Sequence, residues 1–177
     1  MSIAASFLSR TRYYLLTEYP TKIRAAVESM PADKLWWRPN EQCNSVGNLL
    51  LHLSGNVRQW ILSGVGGQPD VRRRNVEFAA RGGSSAAAML DGLEATLRDV
   101  DGVLRQLLPS ELLARRAIQG RDTTVFEAVY HVVEHFSTHT GQIVWIAKMV
   151  TPGAVQFYDD GAGIAKPTFL PDGEWDI

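Results

Sequence analysis

Three of the four histidines of this 177-residue chain fall within the segment HVVEHFSTH, and the fourth lies alone far upstream. His135 and His139 are four residues apart, so on a helix their Cβ atoms lie about 5–6 Å apart on one face. Two imidazoles at that spacing can converge on one metal ion at about 2.0–2.1 Å. A third ligand must come from elsewhere, and His52 is the histidine that remains. The pattern is compatible with a three-histidine site for a divalent transition metal, while structural roles for these histidines stay an open alternative.

His131 complicates the choice of pair. It precedes His135 by four residues, so these two side chains could form the ligand pair instead. Its alternative roles are a hydrogen-bond donor behind a ligand or a surface residue. Glu134 neighbours His135 in sequence but points about 100° away around a helix. We therefore expect Glu134 to be a surface or supporting residue rather than a general base.

Two amides lie one turn from histidines, where they could support a metal site. Asn56 follows His52 by four residues, and Gln142 follows His139 by three. Each could orient an imidazole or a bound water, and each could equally form a hydrogen bond between helices. Gly141 is expected to permit the close approach of a neighbouring helix.

The elements that must position these side chains are helices. Apolar residues recur with helical period in four segments, and the sequence contains little strand pattern. We expect these helices at about residues 4–30, 45–63, 85–108 and 124–150. Pro20 lies inside the first helix and predicts a kink or a break. Asn44 or Ser45 is expected to cap the second helix, and Asp122 or Thr123 the fourth.

Four amphipathic helices indicate an all-α protein with a four-helix-bundle fold. The connector before the second helix contains Trp36 and Trp37, which we expect to cover one end of the core. A loop follows the second helix, with a possible short helical turn at about residues 75–80. The sequence has no internal repeat or interdomain linker, so residues 1–177 are expected to form one domain. A Gly- and Pro-rich tail begins at about residue 151.

Composition excludes several classes of function. The formal net charge is −1, from 18 Lys+Arg against 19 Asp+Glu, so the chain lacks the basic excess typical of nucleic-acid binding. The only basic run, residues 72–74, is expected to be a solvated loop. One cysteine, Cys43, leaves no internal disulfide to form. No segment approaches the roughly 20 apolar residues of a membrane span, and the N-terminus does not resemble a signal peptide. We expect a cytoplasmic protein whose partner is a small-molecule substrate, not nucleic acid or membrane.

The two histidine-bearing segments together resemble a known superfamily. NSVGNLLLHLSGNVRQWI, followed about eighty residues later by HVVEHFSTHTGQIVWI, is similar to the DinB/YfiT-like metal-binding bundles. The similarity includes WWRP before the second helix and covers nearly the whole chain. It implies that His52, His135 and His139 bind a divalent metal, commonly zinc or nickel. The GQI after His139 favours this pair over His131 and His135. The resemblance also implies an up-down-down-up bundle that often forms a homodimer.

A three-histidine ion has open coordination positions, whereas structural zinc sites usually have four protein ligands. Such an ion lowers the pKa of a bound water or thiol. The resemblance implies thiol transfer for some relatives, which use bacillithiol or mycothiol. We therefore expect a small-thiol-dependent S-transferase, with a metal-dependent hydrolase, or a non-catalytic metal-binding or dimerisation module, as alternatives. We also expect a solvent-reachable pocket at the metal, lined by apolar residues of the second and fourth helices. The Trp36–Trp37 loop or the tail would form part of its roof.

Overall fold

The computed structural model describes residues 2–153, 155–161, 163 and 165–170. This part of the chain is mostly helical, in agreement with the predicted all-α class, and contains two short antiparallel strand pairs. The helices are α1 (Ile3–Tyr13), α2 (Tyr19–Glu28), α3 (Val46–Val57), α4 (Arg74–Ala79), α5 (Ala86–Gln106) and α6 (Val125–Val150). Strand β1 (Arg115–Ile118) pairs with β2 (Arg121–Thr124), and β3 (Tyr158–Asp159) pairs with β4 (Lys166–Pro167). The last seven residues of the expected tail, 171–177, lie outside the described residues.

The sequence predicted a kink or a break at Pro20, and the break does not occur, because the chain stays helical from Ile3 to Glu28. A π-helical segment, Tyr14–Glu18, joins α1 to α2, and the backbone N–H of Tyr19 donates to the Tyr14 carbonyl. Pro20 is the second residue of α2. A proline has no N–H for the usual bond to the carbonyl four residues back, and its ring crowds that carbonyl. The wider π turn accommodates the ring at this position.

Serine and threonine side chains set the starts of the long helices. Ser45 caps α3, Ser85 caps α5 and Thr124 caps α6, each accepting a hydrogen bond from the backbone N–H three residues on. The expectation that Asp122 or Thr123 caps α6 is wrong, because β2 continues through both residues and α6 begins only after Thr124. A second π-helical segment, Arg58–Val65, extends α3 to a point close to the expected end of the second helix.

The long helices share one apolar core. Helix α2 packs on α6, and α3 packs on both α5 and α6. The side chains of Leu15, Ile23, Leu53, Leu97 and Phe136 are almost completely buried in this core. Within the described residues, no helix combines the length and apolarity that crossing a membrane requires.

The hairpin of β1 and β2 was not expected from the sequence. Its turn consists of Gln119 and Gly120, both with positive φ (54° and 73°), as two-residue hairpin turns require. Ile118 is buried against the second π segment, where a Cβ atom on Gly64 would lie 2.4 Å from the Ile118 Cδ1 atom. The strands have four residues each and are largely polar, so their alternation is too short to be recognised. The Gln-Gly turn is the signal that was available.

Gly47 provides a test of how the tryptophan connector packs. A Cβ atom on Gly47 would lie 2.8 Å from two carbons of the Trp36 ring, so the glycine lets this ring lie on the first turn of α3. We expect Gly47→Ala to lower the free energy of unfolding by about 1–3 kcal/mol. Gly92→Ala is the matched control, since it lies on an exposed part of α5 with no atom within 4 Å of an added Cβ.

The control should raise the free energy of unfolding by about 0.5–1 kcal/mol, because alanine restricts the unfolded chain and suits a helix interior. Urea denaturation of both variants measures the difference. Equal effects at the two glycines would contradict the proposed contact with Trp36.

Candidate metal centre

The packing of α3 on α6 brings three histidines together. His52 lies in the middle of α3, and His135 and His139 lie one turn apart on α6. One potential ligand atom from each residue can be chosen so that all three lie within 4.8 Å of one another. The Nε2 atoms of His52 and His135 are 2.8 Å apart. The sequence could predict only that His135 and His139 lie side by side on one helix. The contact of His135 with His52 depends on how α3 and α6 pack.

These separations suit a single ion. Two nitrogen ligands of a tetrahedral ion, each at about 2.0–2.1 Å, are about 3.3 Å apart. That value lies between the 2.8 Å separation of one nitrogen pair and the 4.8 Å limit for the set. Small rotations of the imidazole rings would therefore suffice. The three-histidine group could hold a metal ion.

In the rings of His52 and His139, a neighbouring oxygen determines which nitrogen carries the proton. The Nδ1 atom of His52 lies 2.9 Å from Oε2 of Glu77, and Nδ1 of His139 lies 2.7 Å from Oε1 of Gln142. Because a carboxylate or amide oxygen only accepts, each Nδ1 carries the proton and donates it. The Nε2 atoms of both rings are then unprotonated and carry the lone pair that a metal ion would take. A histidine that ligates a metal usually donates its other ring N–H in this way.

Glu77 is the supporting residue that sequence reasoning missed. It lies on α4, is 8% exposed, and accepts two hydrogen bonds of 2.8 Å from Arg72, one on each carboxylate oxygen. The Nη2 atom of Arg72 also approaches Nδ1 of His52 at 3.1 Å. A guanidinium cannot accept, so the His52 proton goes to Glu77. The helical turn expected at about residues 75–80 is α4, and it was the available signal for this residue.

The expectation of a solvated loop at residues 72–74 is wrong for Arg72. Its side chain is only 4% exposed, whereas Arg73 and Arg74 are exposed. The bidentate pair with Glu77 offsets the cost of removing the guanidinium from water. Gly55 makes room for this pair, because a Cβ atom there would collide with Oε1 of Glu77.

The remaining predicted residues lie next to the group or away from it. Asn56 contacts His131 instead of the three clustered histidines. Its Nδ2 atom lies 3.4 Å from Nε2 of His131. The ring of His131 lies over Trp60, with centroids 4.2 Å apart. Glu134 is exposed, as expected. Gly141 is also exposed and has no atom within 4 Å of an added Cβ, so the expected close approach of a helix there is wrong.

Burial keeps the imidazoles of His135 and His139 neutral. It lowers the pKa of His135 to about 3, and repulsion from the neighbouring His139 and His52 adds to the effect. Burial also lowers the pKa of His139, although the hydrogen bond with Gln142 opposes this change. Burial by itself would raise the pKa of Glu77, but its hydrogen bonds with Arg72 and His52 outweigh burial and lower it. At neutral pH, His135 and His139 offer lone pairs and Glu77 is an anion.

The low pKa of His135 predicts that the metal-free chain loses stability in acid. An unfolded histidine has a pKa of about 6.5, so between about pH 6.5 and 3 the unfolded chain binds more protons than the folded one. The free energy of unfolding should therefore fall as the pH falls through this range. Urea denaturation in the presence of a chelator at pH 7, 5.5 and 4.5 measures the slope. His135→Gln should flatten it, and an unchanged slope would contradict the assignment.

A cleft of about 280 Å³ lies on the other side of Gln142 from His139. It is lined by Leu49 of α3 and by Gln142 and Trp145 of α6, and Gln142 is the hydrogen-bond partner of His139. The connector contributes Pro39 and Cys43 among others, and neither Trp36 nor Trp37 lines this cleft. None of the three histidines lines this cleft, so the expected pocket at the metal itself stays a prediction.

Comparison with known proteins places the chain in a family. A search of curated proteins finds no match. A family model described as "Protein of unknown function (DUF1572)" matches residues 2–158. The matched range contains His52, His135, His139, Glu77 and Gln142, that is, the whole candidate centre and its supporting residues. The match covers most of the 177 residues, so the chain belongs to the DUF1572 family.

Proposed function

We propose that the chain binds one divalent transition metal ion, zinc or nickel, through His52, His135 and His139. The observation that carries the proposal is the convergence of three imidazoles of which two have their Nδ1 atoms hydrogen-bonded to oxygen acceptors. This combination leaves ring nitrogens with lone pairs close to one another, as a metal ion requires. Zinc and nickel both accept imidazole ligands.

We also propose a DinB/YfiT-like four-helix bundle, formed as one domain. The helix directions support the up-down-down-up order. Ser54 of α3 lies beside Thr96 of α5, and Gly66, beyond the end of α3, lies beside Val103, so these two helices are parallel. The connection between them, residues 66–85, is long enough to return along the bundle and contains α4.

The contacts of α1 and α2 with α6 support the same order. Phe7 of α1 lies near Phe126 at the start of α6. Tyr19 of α2 lies beside Ser137, which is further along α6. The first helical stretch and α6 are therefore parallel. Helix α3 is antiparallel to α6, because Asn56 lies beside His131 whereas the earlier His52 lies near the later His139. The homodimer and the cytoplasmic location stay predictions.

For chemistry, we propose a small-thiol-dependent S-transferase. When bound, an ion with open coordination positions supplies Lewis acidity that lowers the pKa of a thiol or a water. In the transfer, the thiol loses its proton to solvent, its sulfur bonds to an electrophilic carbon, and the leaving group departs with the electrons of the broken bond. Glu77 and Gln142 hold the rings of His52 and His139 in orientation throughout.

Among the described residues, the two carboxylates nearest the histidines are occupied or exposed, which favours thiol transfer over hydrolysis. The Glu77 carboxylate is occupied by Arg72 and His52, and Glu134 points to solvent. A thiolate needs no further base to attack, whereas attack by water usually benefits from one. The cleft beside Gln142, with the Trp145 and Leu49 side chains in its wall, suits an apolar electrophile.

The test compares zinc- or nickel-loaded protein with chelated protein. The substrates are 2-mercaptoethanol with 1-chloro-2,4-dinitrobenzene, in parallel with p-nitrophenyl acetate. We expect the loaded protein to accelerate the thiol reaction, His139→Ala to abolish the acceleration, and the exposed neighbour variant Thr138→Ala to retain it. Circular dichroism should show that the chelated chain stays helical, because its apolar core is continuous without the histidines.

Each other result has a definite meaning. Acceleration of ester hydrolysis alone, lost in His139→Ala, would replace the transferase by a metal-dependent hydrolase. Metal binding without either reaction would make the centre non-catalytic. Collapse of the chelated chain to a random-coil spectrum would make the ion structural. Failure to bind zinc or nickel would overturn the whole proposal.

A further inference from the structure

The solvent-facing side of α6 carries a stripe of residues with coiled-coil spacing. The stripe consists of five exposed residues, Glu134, Thr138, Gly141, Trp145 and Lys148, which follow one another at intervals of four, three, four and three. On a helix this alternation keeps the side chains in one line along the axis, as in the seam between two helices of a coiled coil. The spacing of the stripe is therefore the spacing by which one helix packs along another.

Two residues of the stripe are unfavourable in an isolated chain. Trp145 is 60% exposed, and tryptophan is one of the residues most enriched at the centre of protein interfaces. Gly141 lies in the interior of a 26-residue helix, where glycine is less favourable than alanine. Among the described residues, no atom lies within 4 Å of a Cβ added at Gly141, so packing within the chain does not account for the glycine. A second helix that crosses α6 at Gly141 would account for both residues.

The charges of the stripe are symmetric about Gly141. Glu134 lies seven residues before Gly141, and Lys148 lies seven residues after it. Both side chains are exposed, and neither forms an ion pair with another described residue. If two copies of α6 pack antiparallel about a two-fold axis at Gly141, each Glu134 faces Lys148 of the partner subunit. The stripe is therefore complementary in charge to a second copy of itself.

The same symmetry provides a contact for the tryptophan. Trp145 follows Gly141 by four residues, so it faces the turn of α6 that contains Ser137 and Thr138 of the partner subunit. Both of these residues are small and exposed. The indole ring can therefore lie against them and beside Gly141 of the partner subunit, as a large side chain enters a hole between small ones in packed helices.

We propose that two copies of the chain associate through this stripe, with the two α6 helices antiparallel and Gly141 on the two-fold axis. The contact involves one helix face from each copy, which is less than a standard interface, so we expect a Kd in the micromolar range. His135 and His139 lie about 120° and 160° around the helix from Gly141. The contact therefore leaves the histidines free and does not depend on the metal centre.

Charge exchange tests the pairing in the full chain. Sedimentation velocity from about 1 μM to about 500 μM measures the Kd of association, with and without a chelator. Glu134→Lys and Lys148→Glu should each weaken association at least tenfold, because each variant places like charges opposite each other on both sides of the axis. The double variant Glu134→Lys/Lys148→Glu exchanges the two charges, so its Kd should return to within a few-fold of that of the parent chain. A parent chain that stays monomeric over the whole range would overturn the proposal, as would a double variant that associates no better than the single ones.

Trp145→Ser should also weaken association at least tenfold, because it removes the aromatic contact. Leu113→Ser is the matched control, since Leu113 is an exposed apolar residue outside α6. Its Kd should equal that of the parent chain. Equal effects of the two changes would contradict the assigned face.

A cross-link tests the position of the axis. Cys43 is the only cysteine of the chain, so Cys43→Ser provides a background without thiols. Gly141→Cys in this background places two thiols next to the two-fold axis, and oxidation with diamide should join the two copies by a disulfide. Gly92→Cys is the control, because Gly92 is an equally open glycine on α5. Absence of the cross-link at Gly141, or equal cross-linking at both positions, would overturn the proposed axis.

Discussion

His52→Ala is expected to raise the Kd for zinc or nickel by on the order of 100-fold or more. Loss of a residue that only supports a ligand typically costs about 10–100-fold in affinity, so loss of a ligand should cost at least the upper end of that range. The two histidines that remain, His135 and His139, both belong to α6. Without His52, nothing in the predicted ligand set links the ion to α3. Metal analysis after dialysis and competition with a chromogenic chelator measure the effect.

His131→Ala is the control for this experiment. It removes a histidine from the same segment of α6. His131 contacts Asn56, Trp60 and the ring of His135, but it does not belong to the convergent group. Its affinity should stay within a few-fold of the parent chain. If His52→Ala perturbs the buried contact with Glu77 enough to affect folding, His135→Ala tests the ligand set at a half-buried position. A full equivalent of tightly bound metal in both variants would rule out the three-histidine centre.

Glu77→Gln is expected to lower the free energy of unfolding by about 3–5 kcal/mol, because it leaves the buried guanidinium of Arg72 without its counter-charge. It should also weaken metal binding by about 10–100-fold, since the amide holds the N–H of His52 less strongly than the carboxylate does. Urea denaturation of the metal-free chain measures the first effect. Competition titration at a temperature where the variant is folded measures the second.

Two comparisons separate these effects. Glu94→Gln removes one partner of Arg24 at a part-exposed ion pair and should cost no more than about 1 kcal/mol. The double variant Arg72→Met/Glu77→Leu replaces the buried pair by apolar side chains and should recover much of the stability. Its metal affinity should remain low, because His52 has still lost its acceptor. A stability loss below about 1 kcal/mol in Glu77→Gln would contradict the buried pair.

The sequence by itself determined the features that depend on neighbours along the chain. Helical period located the four long helical stretches, because each must bury one apolar face. Asn44 or Ser45 was readable as the cap of the second helix, since a side-chain oxygen can satisfy a free N–H of the first turn. The spacing of His135 and His139 made them neighbours on any helix. These interactions span four residues or fewer, so local geometry is sufficient to predict them.

Only the tertiary structure decided which distant side chains meet. The contact of His52 with His135 depends on the packing of α3 against α6, and helical period does not specify that partner or register. Arg72 was expected in a solvated loop because an isolated charge avoids burial, and the expected helical turn at about residues 75–80 did not indicate that Glu77 is buried. Each is buried because the other is there, and their pairing also requires the space that Gly55 leaves beside α3. Arg72 and Glu77 are close in sequence, but their burial depends on Gly55 and His52 of α3, and so it becomes visible only once the helices are packed.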